Sequence, residues 1–324
     1  MKIITGLENV EKFSTGSVTV GSFDGLHLGH QRILQQMRKL EGPVTVLTFH
    51  PHPQSIVRPD KQTPPLLTSY AERVQLFSKI GVDRLIITKF DHRFAEISPE
   101  EFVTDVLVKK IGMTSIFVGP RHRFGEGRKG DVKLLEKLGE EHKFEVNVIE
   151  PVNRFGEIIS SSRVRKLLLD GDVLTSWRCL GRPYYYTGQV VHGDGRGKKL
   201  NIPTANIESD EPAKIAPPPG VYASVVEIGS IRWPSVSHFG PRPTFKGALP
   251  SVETHIIGFK GNIYGHQIQI GLIDYLRDTK AFPNPTELFH QMARDLKESI
   301  QRLAELGFGF KARLRIQRYG KIIA

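Results

Sequence analysis

The sequence has very little cysteine and no long apolar segment. Cys179 is the single cysteine among 324 residues, which excludes an internal disulfide and a metal site built from several cysteines. No apolar run approaches the ~20 residues that a membrane-spanning helix needs. The first residues lack the apolar core of a signal peptide. There is also no zinc-finger spacing and no basic region followed by heptads. These absences favour a cytoplasmic protein.

The charge of the chain is strongly positive. Lysine and arginine total 45 against 34 acidic residues, which gives a formal net charge of +11. Such an excess suits an anionic partner, either a small phosphorylated molecule or a nucleic acid. The densest basic stretch lies at the end of the chain, from Lys311 to Lys321. Charge runs of this kind are usually solvated surface, so the charge alone does not choose between the two partners.

Apolar runs alternate with helical patterns in the first half of the chain. The helical pattern at 68–81 has Ser69 or Thr68 as its cap and ends at Gly81. Strand-like runs rich in β-branched residues occupy 17–23, 42–49, 82–88 and 114–119. Strands that are separated by helices in this way predict a parallel sheet.

The pattern changes near Arg182. Five strand-like runs follow, separated by turn signals, and this arrangement predicts an antiparallel barrel or sandwich. A terminal helix is expected after Asn284, because an asparagine cap is followed there by proline and then by Glu287. We therefore expect an α/β domain over residues 1–182 and a β-barrel domain over 183–324.

The run GSFDGLHLGH, residues 21–30, follows the first strong strand. Gly21 and Gly25 allow the backbone to approach a ligand, and the helix that follows presents free N–H groups to an anion. No Lys-Ser or Lys-Thr pair follows, so the run is not a P-loop. His27 and His30 could bind zinc, fill space, or hydrogen-bond a phosphate whose charge grows during a reaction. A third zinc ligand is not evident nearby.

This run resembles the H-x-G-H signature of the nucleotidylyltransferase superfamily. The form G-x-F-D-G-x-H-x-G-H is similar to that of the FMN adenylyltransferase module of prokaryotic bifunctional riboflavin kinase/FAD synthetases. Three further segments match in order: TFHPHP at 48–53, RFGEGRKGD at 123–131 and ISSSRVR at 159–165. The last is the counterpart of the KMSKS loop in class I aminoacyl-tRNA synthetases. The resemblance implies a Rossmann-like parallel-sheet domain that transfers AMP from ATP to FMN.

The resemblance also implies roles for individual residues. His27 and His30 would be catalytic, stabilising the ATP phosphates during in-line attack by the FMN phosphate. The nucleotide-binding residues that it implies in this domain are Gly21, Phe23, Asp24, Gly25, Ser161, Ser162, Arg163 and Arg165. The sequence departs from the family at 120–122, where Pro120, Arg121 and His122 replace the usual run. This departure bears on the rate or the substrate preference of the N-terminal half.

A second informative stretch runs from Gly188 to Ile207. Gly193, Gly195 and Gly197 could form a loop over phosphates or a hairpin turn. Thr204 and Asn206 offer neutral oxygen atoms of the kind that Mg²⁺ accepts alongside phosphate. The composition of the stretch is equally typical of a polar loop without a ligand.

The segment from Gly193 to Asn206 resembles the signature of riboflavin kinases, and SVETHIIGFKGNIYG at 251–265 continues the match. The resemblance implies that Thr204 and Asn206 contact Mg²⁺ and ATP, and that Glu253 is the base for the ribityl 5′-hydroxyl. Arg277 would contact flavin, the alternative being a surface salt bridge. The nucleotide-binding residues that it implies here are Gly193, Gly195, Arg196 and Lys199. Two departures are His238, in HFG, and Thr279.

Together these observations predict a bifunctional enzyme of flavin cofactor synthesis. It would phosphorylate riboflavin to FMN with ATP and Mg²⁺, and then adenylylate FMN to FAD with release of pyrophosphate. Anionic substrates would account for the basic charge without a nucleic acid or a membrane partner. Two alternatives are a kinase with a weak or re-purposed N-terminal half and a regulatory nucleic-acid-binding protein that uses the tail beyond Phe308. The sequence leaves the oligomeric state open, and a homo-oligomer is compatible with it.

Overall fold

The computed structural model describes residues 1–11, 16–57, 63–193, 202–209, 211–229, 231–240 and 251–308. The chain forms two compact units, residues 1–161 and residues 162–324. Within the described ranges, no helix is both long enough and apolar enough to cross a membrane. The change of sequence pattern at residue 182 falls inside the second unit, because two helices before it pack with that unit. A functional boundary at residue 182 stays a prediction.

The first unit contains a six-stranded sheet whose neighbouring strands all run parallel. The spatial order is β1-β4-β3-β2-β5-β6. The strands are β1 Lys2–Thr5, β2 Ser17–Val20, β3 Val44–His50, β4 Arg84–Lys89, β5 Ser115–Val118 and β6 Glu145–Val148. The predicted parallel sheet is confirmed, and β1 is a strand that the pattern did not predict. A separate short hairpin joins β7 Asn153–Arg154 to β8 Glu157–Ile158.

Helices cover both faces of this sheet. They are α1 Leu28–Met37, α2 Pro53–Val57, α3 Tyr70–Ile80, α4 His92–Ala95, α5 Pro99–Glu101, α6 Phe102–Ile111 and α7 Val132–His142. Successive residues of β3 serve opposite faces: Val46 packs with Leu34 and Phe77, whereas Leu47 packs with Val106. This alternation explains why the central strands read as continuous apolar runs.

The order of the strands places a ligand crevice at one edge of the sheet. The chain passes from β2 outward through β3 and β4, and then returns to β5 on the opposite side of β2. The strand order therefore reverses between β2 and β5. Ligands of open α/β sheets bind at such a reversal, beyond the carboxyl ends of the strands. The turns that begin at Gly21 and Gly119 lie at this position.

The turn after β2 is held by the buried carboxylate of Asp24. Its oxygen atoms accept hydrogen bonds from the backbone N–H of Leu67 and Thr68 and from the Thr68 hydroxyl, at 2.9–3.1 Å. The same hydroxyl accepts a hydrogen bond from the N–H of Gly25 at 3.1 Å. A buried carboxylate is tolerated only when donors satisfy it in this way, so these contacts fix the path of the turn.

Arg73, on α3, also holds the turn after β2. Its guanidinium donates to the carbonyl oxygens of Ser22 at 2.8 Å and of Phe49 at 3.2 Å, which joins the ends of β2 and β3. Burial lowers the pKa of Arg73, and the neighbouring charge of Asp24 opposes this shift. The first turn of the site is thus built on a buried cation and a buried anion.

The second unit contains a closed antiparallel barrel with the order β10-β13-β12-β11-β14-β9. Its strands are β9 Tyr184–Val191, β10 Ala205–Glu208, β11 Gly220–Ile228, β12 Ile231–Gly240, β13 Ser251–Ile256 and β14 Gln267–Arg277. Its helices are α8 Ser161–Leu169, α9 Val173–Leu180 and α10 Pro285–Glu305. The predicted barrel and terminal helix are confirmed, and Asn284 caps α10 through the N–H of Glu287 at 2.9 Å.

The barrel buries several hydroxyl groups in its interior, next to apolar residues such as Phe239 and Val252, and further apolar groups lie outside it, under α10. Ser224 hydrogen-bonds both Ser235 and Ser237 at 2.7–2.8 Å, and Ser237 donates to Thr254 at 2.8 Å. Residues that alternate with these, including Val236, face outward and pack against Leu296 of α10. The outward face of β12 and β13 is therefore enclosed between the barrel and a helix.

We predict that Arg73→Met lowers the free energy of unfolding by about 2–4 kcal/mol, because two charged hydrogen bonds and the cation near Asp24 are lost together. Arg38→Met is the matched control, since the exposed Arg38 guanidinium also donates to a backbone carbonyl, that of Ile80, at 2.7 Å. The control should cost less than about 1 kcal/mol. Urea unfolding measures both, and equal losses would contradict the role given to Arg73.

Candidate active sites

His27 and His30 lie together at the beginning of α1. The Nδ1 atom of His27 accepts a hydrogen bond from the N–H of His30 at 3.4 Å, so His27 caps the helix. The two imidazole rings stack, with centroids 3.7 Å apart and planes 18° apart. Phe23 packs edge-on against His30 at 5.0 Å. Because Nδ1 of His27 accepts, the neutral ring carries its proton on Nε2.

The electrostatic setting keeps His30 neutral. Burial lowers its pKa well below the ordinary value, and the neighbouring His27 lowers it further. The Nδ1 atom of His30 is buried and has no hydrogen-bond partner within the described part of the chain. A neutral His30 ring beside a helix N-terminus can still donate a hydrogen bond to an anion, together with the free N–H groups of the helix.

The other residues predicted in this turn have different surroundings. Gly25 has φ +81°, a conformation that favours glycine. Gly21 donates its N–H to the carbonyl of Leu47 at 3.1 Å. The carboxylate of Asp24 is fully buried and engaged by the donors described above, so its visible role is to hold the turn. Nucleotide contacts by Gly21, Phe23, Asp24 and Gly25 stay predictions.

Ser161 also reaches this turn. Its hydroxyl donates to the carbonyl of Asp24 at 2.8 Å, so the first serine of the predicted motif lies at the histidine loop. Ser162, Arg163 and Arg165 follow in the first turns of α8, where Ser162 is exposed and the two arginines are half-buried. Their contacts with phosphate stay predictions.

Residues that the sequence analysis missed also shape this site. Arg73 supports the turn, and Thr48 donates to the carbonyl of Ser22 at 3.4 Å. A Cβ atom at Gly29 would lie 3.0 Å from the His27 ring, so a larger residue there would displace the ring by a few tenths of an ångström. The glycine of H-x-G-H is a sequence signal for the close contact at Gly29. Arg73 has no such signal, because its hydrogen-bond partners are distant in sequence.

The departure at 120–122 forms a turn at the end of β5. The N–H of His122 donates to the carbonyl of Gly119 at 3.0 Å, and Arg121 is exposed. The His122 ring stacks on Phe124 with centroids 5.7 Å apart. Burial, with a smaller contribution from Arg128, lowers the pKa of His122 to about 4. His122 therefore behaves as a neutral, partly buried ring beside the crevice.

The second candidate site lies on the outward face of the barrel. Asn206 on β10 pairs with Glu253 on β13, and Glu253 pairs in turn with His238 on β12. The Thr204 hydroxyl donates to the carboxylate of Glu253 at 3.4 Å. A Cβ atom at Gly193 would overlap the Asn206 amide, so the glycine and the amide are in close contact. Gly195, Arg196 and Lys199 lie outside the described residues.

The two departures in this half contact one another. His238 and Thr279 are joined by a hydrogen bond of 3.1 Å between Nε2 and Oγ1. Burial lowers the pKa of His238, with Glu253 opposing the shift and Arg277 adding to it. Both replacements therefore belong to one local arrangement beside Glu253.

Arg277 is held by an ion pair. Its Nε and one terminal nitrogen donate to the two carboxylate oxygens of Asp295 at 2.8 and 2.7 Å. Gln291 donates to the same carboxylate at 2.8 Å, and Asp295 is only 4% exposed. Arg277 thus forms a salt bridge, as the alternative states, although its partner Asp295 is buried and the pair joins β14 to α10. A contact with flavin stays a prediction.

The donor atoms of the second site suit a hard cation. Thr204 and Asn206 contribute a hydroxyl and an amide oxygen, which are ligands that Mg²⁺ accepts together with phosphate, and the Glu253 carboxylate lies beside Thr204. In the portion of the chain that is described, no group of three or more His, Cys, Asp or Glu residues could hold a metal ion on its own.

Comparison with known proteins places both sites in a family context. The family model for FAD synthetase matches residues 10–163, and the model for riboflavin kinase matches residues 180–303. The chain is 36% identical over 302 residues to the bifunctional riboflavin kinase/FMN adenylyltransferase of Escherichia coli K12, covering 91% of this chain and 96% of that protein. The protein of the same description from Bacillus subtilis is 31% identical, covering 91% of this chain and 95% of its own length.

A solved structure also matches along most of the chain. It is described as a macrolide-efflux protein from Streptococcus pneumoniae and is 29% identical, with a TM-score of 0.84. The match covers 92% of this chain and 98% of that one. Together with the two family models and the curated relatives, these findings show that the chain belongs to the bifunctional riboflavin kinase/FMN adenylyltransferase family.

Proposed function

We propose that this bifunctional riboflavin kinase and FMN adenylyltransferase phosphorylates riboflavin in its barrel and transfers AMP to FMN at the reversal point of its parallel sheet. The observation that carries this division is the presence of two separate polar constellations. One is the stacked pair His27 and His30 on the first unit, and the other joins Thr204 and Asn206 to Glu253 on the barrel.

In the adenylyltransferase reaction, the FMN phosphate attacks the α-phosphorus of ATP and pyrophosphate leaves. His27 donates through Nε2–H, and the neutral His30 ring and the N-terminus of α1 add further donors where negative charge develops. Ser161, Ser162, Arg163 and Arg165 hold the departing pyrophosphate. Asp24 acts through the backbone of the turn, since its carboxylate is already engaged.

In the kinase reaction, Glu253 accepts the proton of the ribityl 5′-hydroxyl as that oxygen attacks the γ-phosphorus of ATP. Thr204 and Asn206, with their oxygen donors beside Glu253, would hold Mg²⁺. Bound Mg²⁺ neutralises phosphate charge. Gly193, Gly195, Arg196 and Lys199 bind the nucleotide. The ion pair of Arg277 with Asp295 holds the edge of the site, and Arg277 contacts flavin from there.

The proposal accounts for the charge of the chain. Substrates and products that carry phosphate explain a net charge of +11 without a nucleic-acid partner. Use of ATP as the common co-substrate supports a cytoplasmic location.

A second candidate is a kinase whose N-terminal half acts on an acceptor other than FMN. The replacement of the usual loop by Pro120, Arg121 and His122 motivates it. Assays of the full-length chain with FMN and ATP separate the two, because the second candidate predicts turnover of riboflavin without formation of FAD.

We predict that two single variants each lose one of the two activities and keep the other. His30→Ala should slow FAD formation from FMN by about 100- to 1000-fold, the usual cost of a lost transition-state donor, and leave riboflavin phosphorylation within about twofold. Glu253→Gln should slow phosphorylation by about 100-fold or more and leave FAD formation intact when FMN is supplied.

His142→Ala serves as the control, because His142 is an exposed histidine at the end of α7. Each variant reports its own folding through the activity that it retains. Loss of both activities in either variant, with unchanged thermal stability, would be inconsistent with two separate sites.

Acid should weaken the first unit, and His122→Phe should reduce this effect. The folded His122 has a pKa of about 4, against about 6.5 in the unfolded chain. Stability is therefore fully present above about pH 6.5 and falls as the pH drops toward 4, because the unfolded chain binds the proton first.

Between about pH 7 and pH 5, the wild type should lose about 2 kcal/mol more of unfolding free energy than the variant. A phenylalanine ring preserves the stack on Phe124. Urea titrations at the two pH values measure the difference, and an identical pH dependence in both proteins would refute the lowered pKa of His122.

A further inference from the structure

His255 lies on β13, two residues beyond Glu253 and on the same outward face of the strand. It is 5% exposed, and its backbone pairs with Val236, which packs against the apolar cluster of Ile202, Ile257 and Leu296. A histidine in such a place needs a hydrogen-bond partner to offset its burial.

The partner is the carbonyl oxygen of Pro203, 2.7 Å from Nδ1 of His255. A carbonyl can only accept, so Nδ1 carries the proton and Nε2 carries the lone pair. Burial lowers the pKa of His255, although the bond to Pro203 opposes the shift. Nε2 is buried and has no partner among the residues that the structure describes. The ring is therefore neutral, in one defined tautomer.

Pro203 occupies the point at which regular pairing of β10 begins. The ladder pairs Ala205 with Thr254 and Asn206 with Glu253, and β10 starts at Ala205. The carbonyl of Pro203 lies before the strand, where the side chain of His255 takes the place of a ladder donor. Thr204 is covalently joined to this held carbonyl, and its hydroxyl donates to Glu253 at 3.4 Å.

We infer that His255 is a positioning residue for riboflavin phosphorylation: its Nδ1–H holds the Pro203 carbonyl and so sets Thr204 and Asn206 against Glu253. This inference rests on the kinase function proposed above. His255 acts on the geometry of the segment 203–206 through this hydrogen bond.

The test compares His255→Leu, which keeps bulk and removes the donor, with His255→Asn, whose side-chain N–H₂ can reach the position of Nδ1. His255→Leu should lower kcat/KM for ATP in riboflavin phosphorylation by about 10- to 100-fold, since small misplacements of reacting groups cost this much. The apparent KM for riboflavin should change by less than about twofold. His255→Asn should restore most of the lost rate.

Two controls accompany these variants. FAD formation from FMN should be unchanged in both, which shows that the first unit is folded, and equal thermal stability shows that the barrel is folded. His266→Leu alters an exposed histidine of the same barrel and should leave both activities unchanged. A wild-type rate in His255→Leu, or equal losses in the leucine and asparagine variants at equal thermal stability, would overturn the inference.

Amide hydrogen exchange separates this inference from the function on which it rests. His255→Leu should accelerate exchange at Thr204, Ala205 and Asn206, and His255→Asn should not. If the wild type forms no FMN, the assigned activity is wrong, and the exchange data still decide whether His255 holds the segment. Unchanged exchange in His255→Leu would overturn the positioning role by itself.

Discussion

The buried carboxylate of Asp24 is the interaction on which the geometry of the first site depends. A carboxylate away from water must be matched by donors, and the donors here come from Leu67 and Thr68, far along the chain. Through them the turn after β2 acquires one path, and Ser161 binds the carbonyl that this path presents. The stacked histidines at the start of α1 therefore have a fixed position relative to this turn. Buried polar groups therefore determine the shape of this loop together with the buried side chains of Phe23 and Leu26.

The barrel satisfies its buried polar groups mainly with neutral partners, and it includes the ion pair of Arg277 with Asp295. Its interior hydroxyls satisfy one another, while the outward face of β12 and β13 lies under α10. A cross-strand register then places Asn206, Glu253 and His238 in one row. The pair of Arg277 with Asp295 attaches the helix at the end of this row. Strand register and helix attachment together define the site.

Much of this architecture could be predicted from the sequence. Periodicity, caps and turn residues predicted the parallel sheet, the barrel and α10, because each signal is local. The short strands β1 and β10 were missed. The segment of β10 reads as a polar loop, and only pairing with β9 and β13 makes it a strand.

The candidate sites were predictable to a different degree. The motifs identified His27, His30, Thr204, Asn206 and Glu253, and the structure groups them as two sets. Arg73 and His255 bind backbone carbonyls that only the tertiary structure brings near them, so no sequence spacing predicts their roles. The sequence predicted the ion pair of Arg277 only as a surface contact. The local sequence does not show that α10 packs over its partner Asp295.

The most direct test of the account is a time course of flavin products, separated by chromatography, from the wild-type protein incubated with riboflavin, ATP and Mg²⁺. The account predicts that FMN appears first and that FAD follows after a lag, because the two reactions occur in series at two sites. FMN that accumulates without FAD would contradict the role of the histidine site, and the absence of any flavin product would contradict the account as a whole.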